Sequence, residues 1–232
     1  MDMHAPEMQA ADRLPVDPAG SHIRHAIRAA QRVDTPYPYW LPRDVLPADL
    51  CRAVVALPLT GKPLGESQGK RETHNAHRIF VSAETRREFP ACDALAEAFQ
   101  DEATVALLQD RTGARLAGGY LRIECCLDTD GFWLEPHTDI GAKLFTMLVY
   151  LSEHPDAADW GTDIMDAQGH VLARAPGTFN DGLIFIPGSD TWHGFEKRPI
   201  RGIRRSLIVN YVKPEWRSRG ELAFPETPVS AG

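Results

Sequence analysis

What most constrains the fold of this chain is a change of character at Gly119. Downstream, the sequence breaks into short alternating stretches at 120–127, 143–151, 163–165, 170–174, 183–186, 191–196 and 203–212. Each has the length and the β-branched or aromatic content of a strand. Asp166-Ala167-Gln168-Gly169 separates two of them and reads as a hairpin turn. Upstream the pattern is helical. Pro47 falls in the first turn of a helix opening at 46–50, and Leu95, Phe99, Val105 and Leu108 recur at helical spacing over 92–110, which Gly113 closes. A short strand is expected at 78–81, and the polar stretch 60–75 reads as a loop. Helices followed by a run of strands predict an α+β, mostly β domain, with helices packed on one side of an antiparallel sheet system.

The 232 residues, 43% of them hydrophobic, are enough for one sizeable core. We place the domain at 35–214, beginning at Thr35-Pro36-Tyr37-Pro38-Tyr39-Trp40. A flexible N-terminal segment at 1–34, with a short helix near 21–32, and a C-terminal tail at 215–232 are expected to flank it. The net charge of −7 and the absence of a basic run argue against a nucleic-acid partner. No apolar stretch is long enough for a membrane helix, and residues 1–20 lack the apolar centre of a secretory leader. The four cysteines, Cys51, Cys92, Cys125 and Cys126, form no C-x-x-C pair. Reduced thiols in a cytoplasmic setting are the expectation. The sequence carries no signature of oligomeric state.

His137-Thr138-Asp139 places an imidazole and a carboxylate two residues apart, on one side of an extended segment. His193 follows an apolar strand and turn at 181–188. Two imidazoles and one carboxylate are the facial set that holds non-haem Fe(II) and leaves positions open. Next comes 203–212, where Arg204, Ser206, Ile208 and Asn210 share one face, and Arg205, Leu207, Val209 and Tyr211 the other. A guanidinium grips a carboxylate with two parallel hydrogen bonds, and a serine hydroxyl can add a third. Taken singly, His-x-Asp is a chance pattern among nine histidines, and Arg204 an ordinary surface charge. Their succession along neighbouring strands favours a site.

These residues together resemble the Fe(II)- and 2-oxoglutarate-dependent dioxygenases, and within them the prolyl-4-hydroxylase-like group. The resemblance runs over about 36–212 and is densest from Glu135 to Tyr211. It implies a double-stranded β-helix, or jelly-roll, barrel with supporting N-terminal helices and the metal at its open end. It implies Fe(II) held by His137, Asp139 and His193 as the catalytic centre, and 2-oxoglutarate as co-substrate. Arg204 and Ser206 would hold the far carboxylate of that co-substrate. Residues 146–151 are similar to the family's Thr-x-x-x-Tyr-Leu strand, in which Tyr150 reaches the same carboxylate; a core tyrosine bonded to backbone fits Tyr150 almost as well. The implied reaction takes O2 and a small-molecule substrate, hydroxylates a C–H bond, and releases succinate and CO2. One departure matters: Cys126 stands where many relatives carry a tyrosine on the strand lining the pocket.

Residues that select the substrate are harder to read. Arg122 and Glu124 share a face with Tyr120 and Cys126, while Leu121, Ile123, Cys125 and Leu127 form the other. If the polar face looks into the barrel, Arg122 and Glu124 suit a polar or zwitterionic substrate. If the apolar face does, they are solvated charges. The polar cluster His74-Asn75-Ala76-His77-Arg78 fits a solvated loop better than a substrate loop. Two other functions stay open: a peptidyl hydroxylase acting on a protein side chain, and a cupin-like metal-binding barrel without turnover. The latter has no need of Arg204 and Ser206.

Overall fold

The computed structural model describes residues 18–58, 69–70 and 78–231. Most of the loop expected at 60–75, with His74 and His77, lies outside the described residues. The elements run α1 (Pro18–Ala29), β1 (Gln31–Val33), β2 (Tyr39–Leu41), α2 (Ala48–Val55), β3 (Arg78–Phe80), α3 (Ala83–Glu88), α4 (Pro90–Gln100), α5 (Glu102–Thr112), then β4 (Tyr120–Asp128), β5 (Leu134–His137), β6 (Lys143–Tyr150), β7 (Asp163–Met165), β8 (Val171–Arg174), β9 (Gly182–Phe185), β10 (His193–Phe195) and β11 (Arg204–Val212). A seven-stranded sheet has the order β1-β2-β9-β6-β11-β4-β3, and a four-stranded sheet the order β5-β10-β7-β8, with all pairs antiparallel. No described helix is long and apolar enough to cross a membrane.

Strand alternation sorts the large sheet into two faces. Leu121, Ile123 and Cys125 of β4, Leu207, Val209 and Tyr211 of β11, and Phe145, Met147 and Val149 of β6 join Leu95, Phe99, Val105 and Leu108 of the helices in one buried core. The other face looks toward the small sheet. The pairing of β4, β11 and β6 sets its side chains in rows: Arg122, Asn210 and Thr146; then Glu124, Ile208 and Leu148; then Cys126, Ser206 and Tyr150; then Asp128 and Arg204. The polar face of β4 is therefore the interior one, which decides between the two orientations the sequence left open. Cys126 is interior and buried.

Three expectations need correction. The stretch 92–110 is two helices, because Asp101 caps α5: its side chain accepts from the Thr104 amide at 2.9 Å. The N-terminal segment is structured from Pro18 onward. Ile23 and Ile27, one helical turn apart, are fully buried, each contributing about 1.5–3 kcal/mol. Arg24 Nη1 donates to Asp101 Oδ2 at 2.6 Å, tying α1 to the α4–α5 corner. The C-terminal stretch is not a loose tail within the described residues. Ala223 and Val229 donate their amides to the carbonyls of Leu121 and Gly119, at 3.0 and 2.8 Å, along the edge of β4. Leu222, Ala223 and Val229 are buried there.

Candidate active site

The two histidines are brought together by one strand pair. In the β5–β10 ladder His193 lies opposite His137, and their rings stand 4.3 Å apart between centroids. Gly194 permits this closeness, since a Cβ there would stand 2.9 Å from the Leu134 carbonyl oxygen. Asp139 lies just past β5. The three side chains each offer one ligand atom, all within 4.8 Å of one another.

Hydrogen bonding fixes which atoms face the space between them. His137 Nδ1 lies 2.7 Å from the Glu135 carbonyl oxygen, and His193 Nδ1 lies 2.9 Å from that of Thr191. A carbonyl only accepts, so Nδ1 carries a proton in both rings, which leaves Nε2 as the nitrogen able to ligate. Burial pushes the His193 imidazolium down to a pKa of about 4, more than Asp139 raises it, which keeps the ring neutral. Asp139 takes Lys143 Nζ on Oδ1 at 2.6 Å and the Thr146 hydroxyl on Oδ2 at 2.7 Å. Burial opposes its ionisation, but Lys143, His193 and Thr146 together hold the carboxyl far below the usual carboxylate range. Neutral imidazoles and an ionised carboxylate are the protonation states a hard-to-borderline divalent cation requires.

A cavity of about 170 Å³ runs past these residues, from Trp216, Arg78, Arg122 and Lys143 at one end to Thr162 and Arg204 at the other. Leu148, Ile208 and Phe195 make its walls apolar between the charged ends. Arg204 is not a surface charge: it is 2% exposed and packs over the Phe195 ring at 4.6 Å. Its Nε donates to the Trp160 carbonyl at 2.7 Å, and Nη1 to Asp128 Oδ2 at 2.5 Å. No hydrogen bond within the described residues uses Nη2. Ser206, one row nearer the metal ligands, is fully buried and its hydroxyl has no partner among the described residues. Tyr150 is otherwise engaged. Its hydroxyl donates to Thr162 Oγ1 at 3.0 Å and accepts from the Thr162 amide at 3.1 Å, so it is Thr162 that lines the cavity. Arg205 points to the opposite face, toward the helices, beside Cys125.

At the other end Arg122 and Glu124 form a buried network. Arg122 Nη1 donates to Glu124 Oε1 at 3.0 Å and to Asn210 Oδ1 at 3.3 Å, and Nε to Glu221 Oε2 at 2.7 Å. Arg78 Nε adds a second cation on Glu124 at 2.6 Å. Burial resists the Glu124 charge, yet Arg122 and Arg78 outweigh it and bring its pKa to about 2. The Arg122 guanidinium is flanked by Phe80 and Trp216, at 4.7 and 5.1 Å.

Sequence reading missed Asp128, Lys143, Thr146, Thr162, Asn210, Trp216 and Glu221 as site residues. For Asp128, Thr146 and Asn210 the signal was present, since each falls on the interior face by simple alternation with a residue already singled out. Glu221 and Trp216 gave none, because only the return of the C-terminal segment along β4 brings them to Arg122.

No family model and no curated protein matches the sequence. Solved structures do match. A Pseudomonas putida prolyl-4-hydroxylase is 16% identical, over 84% of this chain and 98% of that one, with a TM-score of 0.53. A Trichoplax adhaerens prolyl hydroxylase, solved with a hypoxia inducible factor peptide, is 12% identical over 85% and 90%, with a TM-score of 0.54. A viral collagen prolyl hydroxylase from Paramecium Bursaria Chlorella virus-1 is 11% identical over 75% and 88%, with a TM-score of 0.51. The two antiparallel sheets, with helices backing the larger, are thus the jelly-roll fold of the prolyl hydroxylases.

Proposed function

We propose that the chain is an Fe(II)- and 2-oxoglutarate-dependent dioxygenase that hydroxylates a C–H bond of a small polar molecule, releasing succinate and CO2. The observation that carries this reading is one cavity joining a His-Asp-His ligand set to a buried arginine, with a serine hydroxyl that has no partner among the described residues on the same strand face as that arginine. The donor set fits the metal: two Nε2 lone pairs and one ionised carboxylate converge. The floor fits a dicarboxylate. Arg204 Nη2 and the orphaned Ser206 Oγ are donors waiting for an acceptor, and a buried hydroxyl without a partner is otherwise costly.

In this reading His137, Asp139 and His193 hold iron, and Arg204 with Ser206 holds the far carboxylate of 2-oxoglutarate, with Thr162, rather than Tyr150, lining that end of the cavity. Iron and 2-oxoglutarate, when bound, supply the oxidation of the C–H bond with O2. The protein's own residues do the rest. Thr146 orients the Asp139 carboxylate and Lys143 offsets its charge, and the Glu135 and Thr191 carbonyls fix both imidazole tautomers. Leu148, Ile208 and Phe195 keep water from the space between. Arg122 and Glu124, with Arg78 and Trp216, present paired charges to the substrate, which suits a polar or zwitterionic group. Buried cysteines at Cys51, Cys92, Cys125 and Cys126, with no disulfide among them, fit a cytoplasmic setting.

A second reading, a hydroxylase of protein side chains, draws on the peptide carried by the Trichoplax structure. One experiment treats both. Purified protein with Fe(II), 2-oxoglutarate and O2 is assayed for succinate release against amino acids, sugars, nucleosides and peptides. Stimulation by a small polar molecule supports the first reading and by peptides alone the second. If anaerobic Fe(II) and 2-oxoglutarate give no visible charge-transfer band, both are wrong.

A further inference from the structure

The interior row nearest the metal ligands is a continuous chain of hydrogen bonds. Arg122 Nη1 donates to Asn210 Oδ1 at 3.3 Å, Asn210 Nδ2 donates to Thr146 Oγ1 at 2.9 Å, and the Thr146 hydroxyl donates to Asp139 Oδ2 at 2.7 Å. Its direction is forced from both ends. An ionised carboxylate only accepts, so Thr146 must spend its proton on Asp139 and accept from Asn210. A guanidinium only donates, so the amide oxygen of Asn210 must face Arg122. Arg122, Asn210 and Thr146 are cross-strand neighbours on β4, β11 and β6, and all three are at least 97% buried.

We propose that Asn210 and Thr146 are positioning residues for the Asp139 carboxylate, anchored at the far end by Arg122 and Glu221, so that the C-terminal segment helps set metal affinity. This rests on the reading of His137, Asp139 and His193 as a metal site. Lys143 also touches Asp139, but by a long side chain reaching in from the end of β6, and it supplies charge rather than orientation. Thr146 is stiff at χ1 and sits on a strand paired on both sides. It sets where Oδ2 points. Asn210 is held in turn, since Nδ2 also donates to the Phe145 carbonyl at 3.2 Å. The longest link is Arg122 to Asn210, and it is shared, because the same Nη1 serves Glu124 at 3.0 Å. The Glu221 contact to Nε balances that pull. Without it, the guanidinium settles on Glu124 and releases the amide of Asn210.

The test is metal binding by the full chain, without co-substrate or substrate. Co(II) is titrated calorimetrically, with its visible spectrum and the apo melting temperature recorded, for wild type, Thr146→Ser, Thr146→Val, Asn210→Asp and Glu221→Gln. Thr146→Ser, which keeps the hydroxyl and loses only the methyl that stiffens χ1, should retain most of the affinity. Thr146→Val and Asn210→Asp should each weaken Co(II) by about 10–100-fold and alter its spectrum. Asn210→Asp removes the donor to Thr146 and competes with Asp139 for its hydroxyl. Glu221→Gln should weaken Co(II) by about threefold. If wild type binds no Co(II), the metal reading itself is wrong and the inference goes with it. If wild type binds and Thr146→Val and Asn210→Asp change only the melting temperature, the positioning role is refuted. If Glu221→Gln alone is silent, the C-terminal anchor is refuted.

Discussion

Asp128→Asn is the most informative single change. Asp128 is 1% and Arg204 2% exposed, and their 2.5 Å ion pair lies at the foot of the cavity. Removing one charge leaves the other buried and uncompensated, at a cost of about 3–5 kcal/mol. In a chain of this size each kcal/mol shifts the melting temperature by about 2–4 °C, so the apo protein should melt roughly 6–20 °C lower. If Arg204 faces 2-oxoglutarate, the co-substrate brings back a carboxylate. Its stabilisation with Mn(II) present should then be larger in Asp128→Asn than in wild type; at a hundred times its Kd a ligand adds about 2.7 kcal/mol. Arg204→Gln strands Asp128 instead, with a similar loss of stability but no rescue and at least a tenfold weaker 2-oxoglutarate affinity. The double change removes both charges, so it should recover most of the stability while still failing to bind 2-oxoglutarate. Differential scanning with and without 2-oxoglutarate reads all four proteins. The reasoning is refuted if Asp128→Asn melts with wild type, or if it loses the response to 2-oxoglutarate while Arg204 is intact.

Asp139→Ala should abolish turnover and sharply weaken Fe(II) binding by equilibrium dialysis; near-normal turnover would sink the triad assignment. Arg205→Ala should leave 2-oxoglutarate dependence nearly unchanged, because that side chain faces the helices, and a large increase in its KM would contradict the strand register. Arg122→Gln, in assays of coupled and uncoupled turnover, should lower substrate oxidation more than substrate-free consumption of 2-oxoglutarate; equal loss would place Arg122 with the fold or the co-substrate. The Glu124 carboxyl titrates near 2 in the folded state against about 4.5 when free, so its contribution is complete above pH 4.5 and is lost as pH falls toward 2. That shift is worth about 3 kcal/mol, so urea unfolding of Glu124→Gln should show a flatter dependence than wild type between pH 4.5 and 2.

Much of this was legible where chemistry depends on local periodicity. Alternation along β11 put Arg204, Ser206 and Asn210 on one face and Arg205 on the other, and the register of three strands then fixed the rest. His137 and Asp139 could be paired from their spacing alone. What stayed hidden was set by distant contacts. Whether the polar face of β4 looked inward depended on the helices covering the apolar face, which no residue of β4 encodes by itself. β5 carries Pro136 and Glu135 and has too little apolar character to be read as a strand; its pairing with β10 creates it. α1 was undervalued because two isoleucines look like little until α4 and α5 close over them. Tyr150 has the expected face, and its hydroxyl is engaged by Thr162, which comes from the opposite sheet and so could not be read from β6 alone.

The charges lining the cavity and their immediate partners give the last constraint. Among the described residues, Arg78, Arg122, Lys143 and Arg204 face Glu124, Asp128, Asp139 and Glu221, four against four. The cavity is therefore close to neutral before anything binds. On the proposed reading, a divalent metal adds two positive charges that no spare carboxylate among the described residues cancels, because Asp139 already shares its charge with Lys143. A neutral co-substrate would leave that excess in a low-dielectric space, where it is expensive. A dianion removes it. The site thus asks for a doubly charged acid to accompany the metal, and 2-oxoglutarate has that charge. Once both are bound, the remaining space is neutral again, so the substrate itself should carry no net charge. A zwitterion or an uncharged polar molecule should outcompete an anion of the same size, and the succinate-release screen should rank substrates in that order. An anionic substrate turning over fastest would overturn this accounting, even with the triad intact.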